Sequence, residues 1–166
     1  MKIIGIDASS NKTGIAIFQD GKYIEHKLID LHKINDPDQR IPKMMIEIGL
    51  YIKQHGADKI IMEKSMLKSN IDTVQKLSNI AGAVMFYAAT KNIEFQFAYP
   101  SEWRNRVWLQ QSSQIKREVL KEEAIQAVRQ EYKMNVTDDE AEAILIARSG
   151  FDLPKIIVDI YDMLLI

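Results

Sequence analysis

The chain has 166 residues, 46% of them hydrophobic and 27% charged, enough for one domain with a sizeable core. It contains no cysteine, which excludes disulfides and thiolate metal sites, and no apolar run reaches the roughly 18 residues that span a bilayer. The formal charge of −1 hides an asymmetry: residues 131–166 hold 8 acidic and 3 basic side chains, leaving 19 basic against 15 acidic in the rest, so a nucleic-acid partner stays open.

Three strands are predicted first, over Lys2–Asp7, Thr13–Phe18 and Lys22–Asp30, with a hairpin signal at Asp20–Gly21. Ile41, Met44, Met45, Ile48, Tyr51 and Ile52 then recur at helical spacing until Gly56. A buried strand over Asp58–Glu63 follows, then a helix marked by Val74, Leu77, Ala81, Val84 and Ala88, then a strand over Ile93–Ala98 closed by Pro100. Residues 101–113 read as irregular, and helices are expected over 114–131, from Thr137 and again from Pro154. Up to the helix at Thr137 the order is β-β-β-α-β-α-β-α-α, an α/β chain with a mixed five-stranded sheet and helices on both faces. A crossover through the first helix would lay the fourth strand parallel to the first. Residues 1–166 are taken as a single domain. The N-terminus lacks the basic and apolar regions of a signal peptide, so the expected location is cytoplasmic.

Asp7 and Glu63 both end strands that read as buried, and in this topology they would emerge side by side at the carboxyl edge of the sheet, where open α/β sheets carry their sites. Singly, each also fits a solvated loop acid. The segment VTDDEAEAILIA adds Asp139 and Glu142, spaced i, i+3 and hence on one helical face. A capping box of Thr137 and Glu140 accounts for the start of that helix and for Asp138, but not for Glu142. Asp138 lies four residues before Glu142 and qualifies by geometry too. Asp139 is the expected partner, because an acid at the first helical position serves the helix dipole.

Convergent carboxylates, with no cysteine and only His26, His32 and His55 outside the acidic motifs, suit Mg²⁺, with Mn²⁺ as a substitute. Crowding them without a cation would raise their pKa values. Two divalent ions roughly 4 Å apart would remove that repulsion and clamp the oxygens of a phosphodiester.

The stretches IIGIDASSNKTGIAIF, IIMEKSMLKSN, AYPSEWRNRVWLQQSSQIKREV and DDEAEAILIA cover residues 1 to about 147. In order and spacing they resemble the RuvC-type Holliday junction resolvases of the ribonuclease-H-like nuclease superfamily. The resemblance implies that fold, a metal-dependent endodeoxyribonuclease acting on branched DNA, a homodimer, and products with a 5′-phosphate and a 3′-hydroxyl. It also implies that Asp7, Glu63, Asp139 and Glu142 are the metal-binding catalytic acids. Arg104 and Lys116 match basic positions near the scissile DNA, Lys116 offsetting charge on the reacting phosphorus. Met66 matches an apolar side chain at the junction centre. The chain departs from the family pattern in Ala8–Ser9–Ser10, where glycine and proline are usual, and in Glu142, where Asp is usual.

Lys64, Lys68 and Lys76 flank the segment after Glu63 and suit phosphate contacts, or serve as plain surface lysines. Trp103 and Trp108 interleave with Arg104 and Arg106, a pattern for stacking bases, but paired tryptophans in one loop more often anchor it to the core. Met44, Met45 and Met85 are assigned to the core and Arg40 to a solvated loop. The helix from Asn70 is the expected dimer interface, through Leu77, Ile80 and Val84. Two rivals remain: a non-catalytic branched-DNA-binding module on the same fold, and a fragment of an actin-like nucleotide-binding protein.

Overall fold

Apolar side chains on alternate residues of the first two strands point to opposite faces, so both faces of the sheet must be covered. The computed structural model describes residues 1–65, 70–110, 112 and 114–156. Strands β1 (Lys2–Asp7), β2 (Lys12–Gln19), β3 (Lys22–Asp30), β4 (Lys59–Glu63) and β5 (Glu94–Ala98) form one sheet in the order β3-β2-β1-β4-β5. β1, β2 and β3 pair antiparallel, while β4 lies parallel to both β1 and β5. The expected crossover therefore holds, and Ile6 of β1 sits beside Met62 of β4.

Helices α1 (Pro37–His55) and α2 (Ile71–Thr90) cover one face, burying Ile4, Ile6, Ile15, Ile17, Ile60 and Met62. Helices α3 (Pro100–Arg106), α4 (Arg117–Tyr132) and α5 (Asp138–Ser149) belong to the other face, over Ile3, Ala16, Phe18 and Ile61. Each start has a local cause. Asp36 accepts from the Asp38 N–H and Pro37 occupies the first turn of α1, while Asn70 accepts from the Asp72 N–H at the start of α2. Gly56, at φ 66°, ends α1. No helix among the described residues is long and apolar enough to cross a membrane.

Several expectations need correction. The stretch read as irregular contains α3, whose first turn has Pro100 and whose Glu102 accepts from the Tyr99 N–H at 2.8 Å. Residues 114–116 precede α4 rather than belong to it. Pro154, Lys155 and Ile156 are not helical, and the rest of that expected helix lies outside the described residues. Ile80 and Val84 are core rather than interface, while Ile71, Met85 and Phe86 are exposed, so Met85 is not core. Arg40 is no solvated loop residue: it is buried, donating from Nε to the Ser10 carbonyl at 2.8 Å and from Nη1 to the Ile34 carbonyl at 2.6 Å.

α5 lies unusually close to the sheet. A Cβ on Gly5 would fall 2.5 Å from the Ala143 carbonyl oxygen, and one on Gly14 would fall 1.9 Å from the Asp139 carbonyl oxygen. Both contacts are with backbone, which cannot swing aside. Gly14→Ala should therefore destabilise the protein by about 1–3 kcal/mol, as overpacking does. Gly49→Ala, in a part of α1 where an added Cβ meets nothing, should instead stabilise by about 0.5–1 kcal/mol. Urea unfolding of the two variants beside the parent checks both signs.

Candidate active site

β1 ends on Asp7 and β4 on Glu63, and their parallel pairing brings both carboxylates to one edge of the sheet. Asp7 is also paired with Gly14 of β2. The missing Cβ at that glycine is what lets the Asp139 backbone settle there. Thr137 fixes the first turn of α5, its N–H donating to Glu140 at 2.8 Å while its hydroxyl accepts from the Glu140 N–H. One turn of helix then carries Glu142 to the same place. Asp7, Glu63, Asp139 and Glu142 line a single cleft of about 330 Å³ together with Trp103, Arg104 and Arg117.

The cleft is electrostatically crowded. Burial, followed by the charges of Glu142, Glu63 and Asp139, pushes the Asp7 carboxyl well above its ordinary range. Burial, then the charge of Glu142, pushes Glu63 up to about 7 against the relief given by Trp103 and two arginines. Burial raises Asp139 and Glu142 as well. Asp138 behaves differently. Burial pushes it up, but an ion pair with Lys121 of α4 outweighs this and holds it below its ordinary value. Asp138 thus faces α4 and Asp139 faces the cleft, which separates the two candidates that spacing alone left open.

The basic residues divide by depth. Arg104, expected against DNA, is only 2% exposed, with Nη2 at 2.7 Å from Glu123 and Nη1 at 3.8 Å from Glu142. It belongs to the floor of the cleft rather than to an open DNA surface. Lys116, expected at the reacting phosphate, is the N-cap residue of α4, with an exposed side chain outside the cleft lining. Its neighbour Arg117 lines the cleft instead, and its charge reaches Glu63, Asp139 and Glu142. Lys64 holds its ammonium 5.4 Å from the Phe97 ring and 5.2 Å from the Tyr99 ring. Lys76 pairs with Asp72 on its own helix. Met66 and Lys68 lie outside the described residues.

The family model for crossover junction endodeoxyribonuclease RuvC matches residues 3–147. The chain belongs to the RuvC family. The RuvC of Mycobacterium leprae (strain TN) is 22% identical over 107 residues, which is 61% of this chain and 57% of that protein, so the match spans little more than half of the relative's length. In architecture the chain is similar to T. thermophilus RuvC in complex with a Holliday junction substrate, with a TM-score of 0.70 at 14% identity, covering 90% of this chain and 92% of the other. A fowlpox virus resolvase, solved with Holliday junction DNA, gives a TM-score of 0.66 at 16% identity over 90% of this chain and 96% of the other. The sheet and its two helical layers are thus the ribonuclease-H-like fold of these resolvases.

In this RuvC-family cleft the donor set is all oxygen, which fits a hard divalent cation. No group of three or more His, Cys, Asp or Glu among the described residues is gathered closely enough to hold an ion as it stands. The carboxylates therefore line an open cleft rather than a closed cage. The carboxyls are raised chiefly by burial, with neighbouring acids adding to the shift of Asp7 and Glu63.

Two residues of the site, Glu123 and Arg117, went unmarked in the sequence, and a third, Trp103, was visible there only as a loop residue. Trp103, correctly expected to anchor its segment, is 1% exposed and also donates its indole N–H to Glu63 at 2.8 Å. Glu123 is the buried partner of Arg104, with no local signal to mark it. Arg117 was visible only as the neighbour of Lys116. Trp108, grouped with Trp103 in the sequence, is 56% exposed instead, with Lys155 over its ring.

The raised carboxyls set a pH dependence. The unfolded chain releases the Glu63 proton near its ordinary value of 4.5 and the folded chain near 7, so the folded state binds more protons in that interval. Stability from this group is accordingly lost as pH rises through the interval. Unfolding measured in chelator from pH 5 to 8 should reveal that loss, and Glu63→Gln should flatten it.

Proposed function

We propose that this chain is a divalent-metal-dependent, structure-selective endodeoxyribonuclease that hydrolyses phosphodiesters in branched DNA during recombination and repair in the cytoplasm, leaving a 5′-phosphate and a 3′-hydroxyl. The observation that carries the reading is the convergence of Asp7, Glu63, Asp139 and Glu142 in one cleft at the carboxyl edge of the sheet. Family membership and the Holliday junctions bound in the T. thermophilus and fowlpox structures support a four-way junction as substrate. Residues 1–166 act as one nuclease domain.

Asp7, Glu63, Asp139 and Glu142 would hold Mg²⁺, with Mn²⁺ substituting, and two ions per site suit the number of carboxylates. When bound, the ions supply Lewis-acid activation of water and of the leaving oxygen. The chain's own cations act around them. Arg117 meets the reacting phosphate at the cleft and offsets its developing charge. Lys64 and Lys116, and by the family resemblance Met66 and Lys68, contact the flanking DNA. Arg104 stays beneath the carboxylates and does not reach the DNA. The chain works as a homodimer, because paired nicks across a two-fold junction need two related sites. Phe86, 73% exposed, and Met85 on α2 suit that contact better than the buried Ile80 and Val84.

Labelled duplex, flap, fork and four-way substrates incubated with Mg²⁺ test the reading. Paired nicks in the four-way junction that a ligase can reseal are expected. A non-catalytic module would bind and cut nothing with any divalent ion. Asp7→Asn, Asp139→Asn and Glu142→Gln should each reduce cleavage to background, with DNA binding retained because a repelling charge is removed. Asp138→Asn should lose little, and normal cutting by Asp139→Asn would put the register of the acidic pair in error.

Arg117→Ala and Lys116→Ala should part in kind. The first should lower kcat by about 100-fold. The second should chiefly raise KM, with a smaller salt dependence than the parent. Steady-state cleavage at two ionic strengths distinguishes them.

A further inference from the structure

Helix α3 has only seven residues, yet two consecutive side chains on it reach two different acids of the cleft. The Trp103 indole N–H donates to Oε2 of Glu63 at 2.8 Å. Among the described residues no hydrogen bond engages the other oxygen of Glu63. Arg104 lies against the Trp103 ring, its guanidinium carbon 5.1 Å from the ring centroid.

The guanidinium has little freedom. Nε donates to the Gln110 carbonyl at 2.8 Å, and Nη2 donates to the Leu120 carbonyl at 3.0 Å and to Glu123 at 2.7 Å. Glu123 is itself buried and fixed by the Gln110 N–H at 2.9 Å. What remains is Nη1, which lies 3.8 Å from Glu142. Glu63 comes from β4 and Glu142 from α5, so α3 is the element that ties both to one rigid base.

We propose that Trp103 and Arg104 are positioning residues that select the cation: they restrain Glu63 and Glu142 so that Glu63 offers one oxygen to the cleft, which favours Mg²⁺ over Ca²⁺. The inference rests on the metal-dependent reading above. Its physical basis is the difference between the two ions. Mg²⁺ demands a near-ideal octahedron with short bonds, whereas Ca²⁺ accepts more oxygens, longer bonds and bidentate carboxylates. A Glu63 freed from the indole could turn both oxygens to the cleft and would suit Ca²⁺. Outer partners of this kind typically change metal affinity by about 10- to 100-fold.

The test is calorimetric titration of the full chain with Mg²⁺ and with Ca²⁺, without DNA, for the parent, Trp103→Phe and Trp108→Phe. Trp103→Phe keeps an aromatic ring in the core and removes the donor, together with the volume of the second fused ring. It should lower the ratio of Mg²⁺ to Ca²⁺ affinity by about tenfold or more. Trp108→Phe should leave the ratio unchanged. If Trp103 only packs, its variant will shift the unfolding midpoint and both affinities together, and an unchanged ratio overturns the inference. A second measurement does not depend on the variant folding. The two indole N–H resonances of the parent should differ, with that of Trp103 protected from exchange and moved by Mg²⁺, and that of Trp108 unprotected. Equal exchange at both overturns the clamp, as does a parent that binds neither ion. Cleavage of the branched substrates judges the nuclease reading separately, since a parent that binds Mg²⁺ selectively but cuts nothing retains the clamp and loses the activity.

Discussion

The contact of α5 with the sheet, backbone against backbone, is the constraint on which the site depends. Gly5 and Gly14 have no side chain to hold the helix off, and Ala143 and Ala147 present the small surface that meets them. The drive comes from burial. Ile144, Leu145 and Ile146 are fully buried, and each such side chain contributes about 1.5–3 kcal/mol. Packing of that strength brings Asp139 and Glu142 to Asp7 although all three carry the same charge when ionised. The opposing term is a like-charge repulsion of roughly 4 kcal/mol for a pair 4 Å apart at the edge of a protein. The fold closes all the same, and the carboxyls are raised first by their burial and, at Asp7 and Glu63, further by neighbouring acids. A site built this way gathers its carboxylates by the same packing that stabilises the domain.

The cations of the chain are sorted by depth around that centre. Arg104 is buried because Glu123 and two carbonyls satisfy its guanidinium, which is the condition for holding a charge away from water. Arg117 begins α4 at the cleft, while Lys116, one position earlier, stays outside it. Lys116 is the extended N-cap residue and Arg117 the first helical one, so the change of backbone between them separates a surface residue from a cleft residue. Lys121, one turn further along α4, pairs with Asp138 and removes it from the carboxylate group. α4 thus shapes the site by what it attracts as well as by what it contributes.

Recurring patterns made much of the architecture legible in the sequence. Continuous apolar runs marked β1 and β2 as buried strands, and the apolar spacing of α1 and α2 marked their buried sides. Asp7 and Glu63 stood out because each interrupts a buried run at a strand end. Thr137 and Glu140 announced the start of α5, and a spacing of three residues placed Asp139 and Glu142 on one face. All of these are local signals, set by the geometry of the chain over a few residues.

Tertiary structure alone decided which polar group each side chain meets. Trp103 and Glu63 are 40 residues apart in the chain, and Arg104 and Glu123 are 19 apart. Nothing in either local segment encodes the other. α3 was hidden for the same reason, since a seven-residue helix is too short to display a periodicity and is held by its contacts with α5 and the core. Arg40 read as solvated because its partners are backbone carbonyls, which leave no mark in a sequence. Asp138 is paired by a lysine from another helix, while Asp139 lines the cleft. The sequence by itself determined the strands and the buried faces of α1 and α2 and marked the four acids as candidates, because apolar runs and a repeat of about 3.6 residues are properties of the local chain. The partners, depths and charges of those acids were decided by the packing of distant segments, because a hydrogen bond or an ion pair depends on which atoms the fold brings within reach.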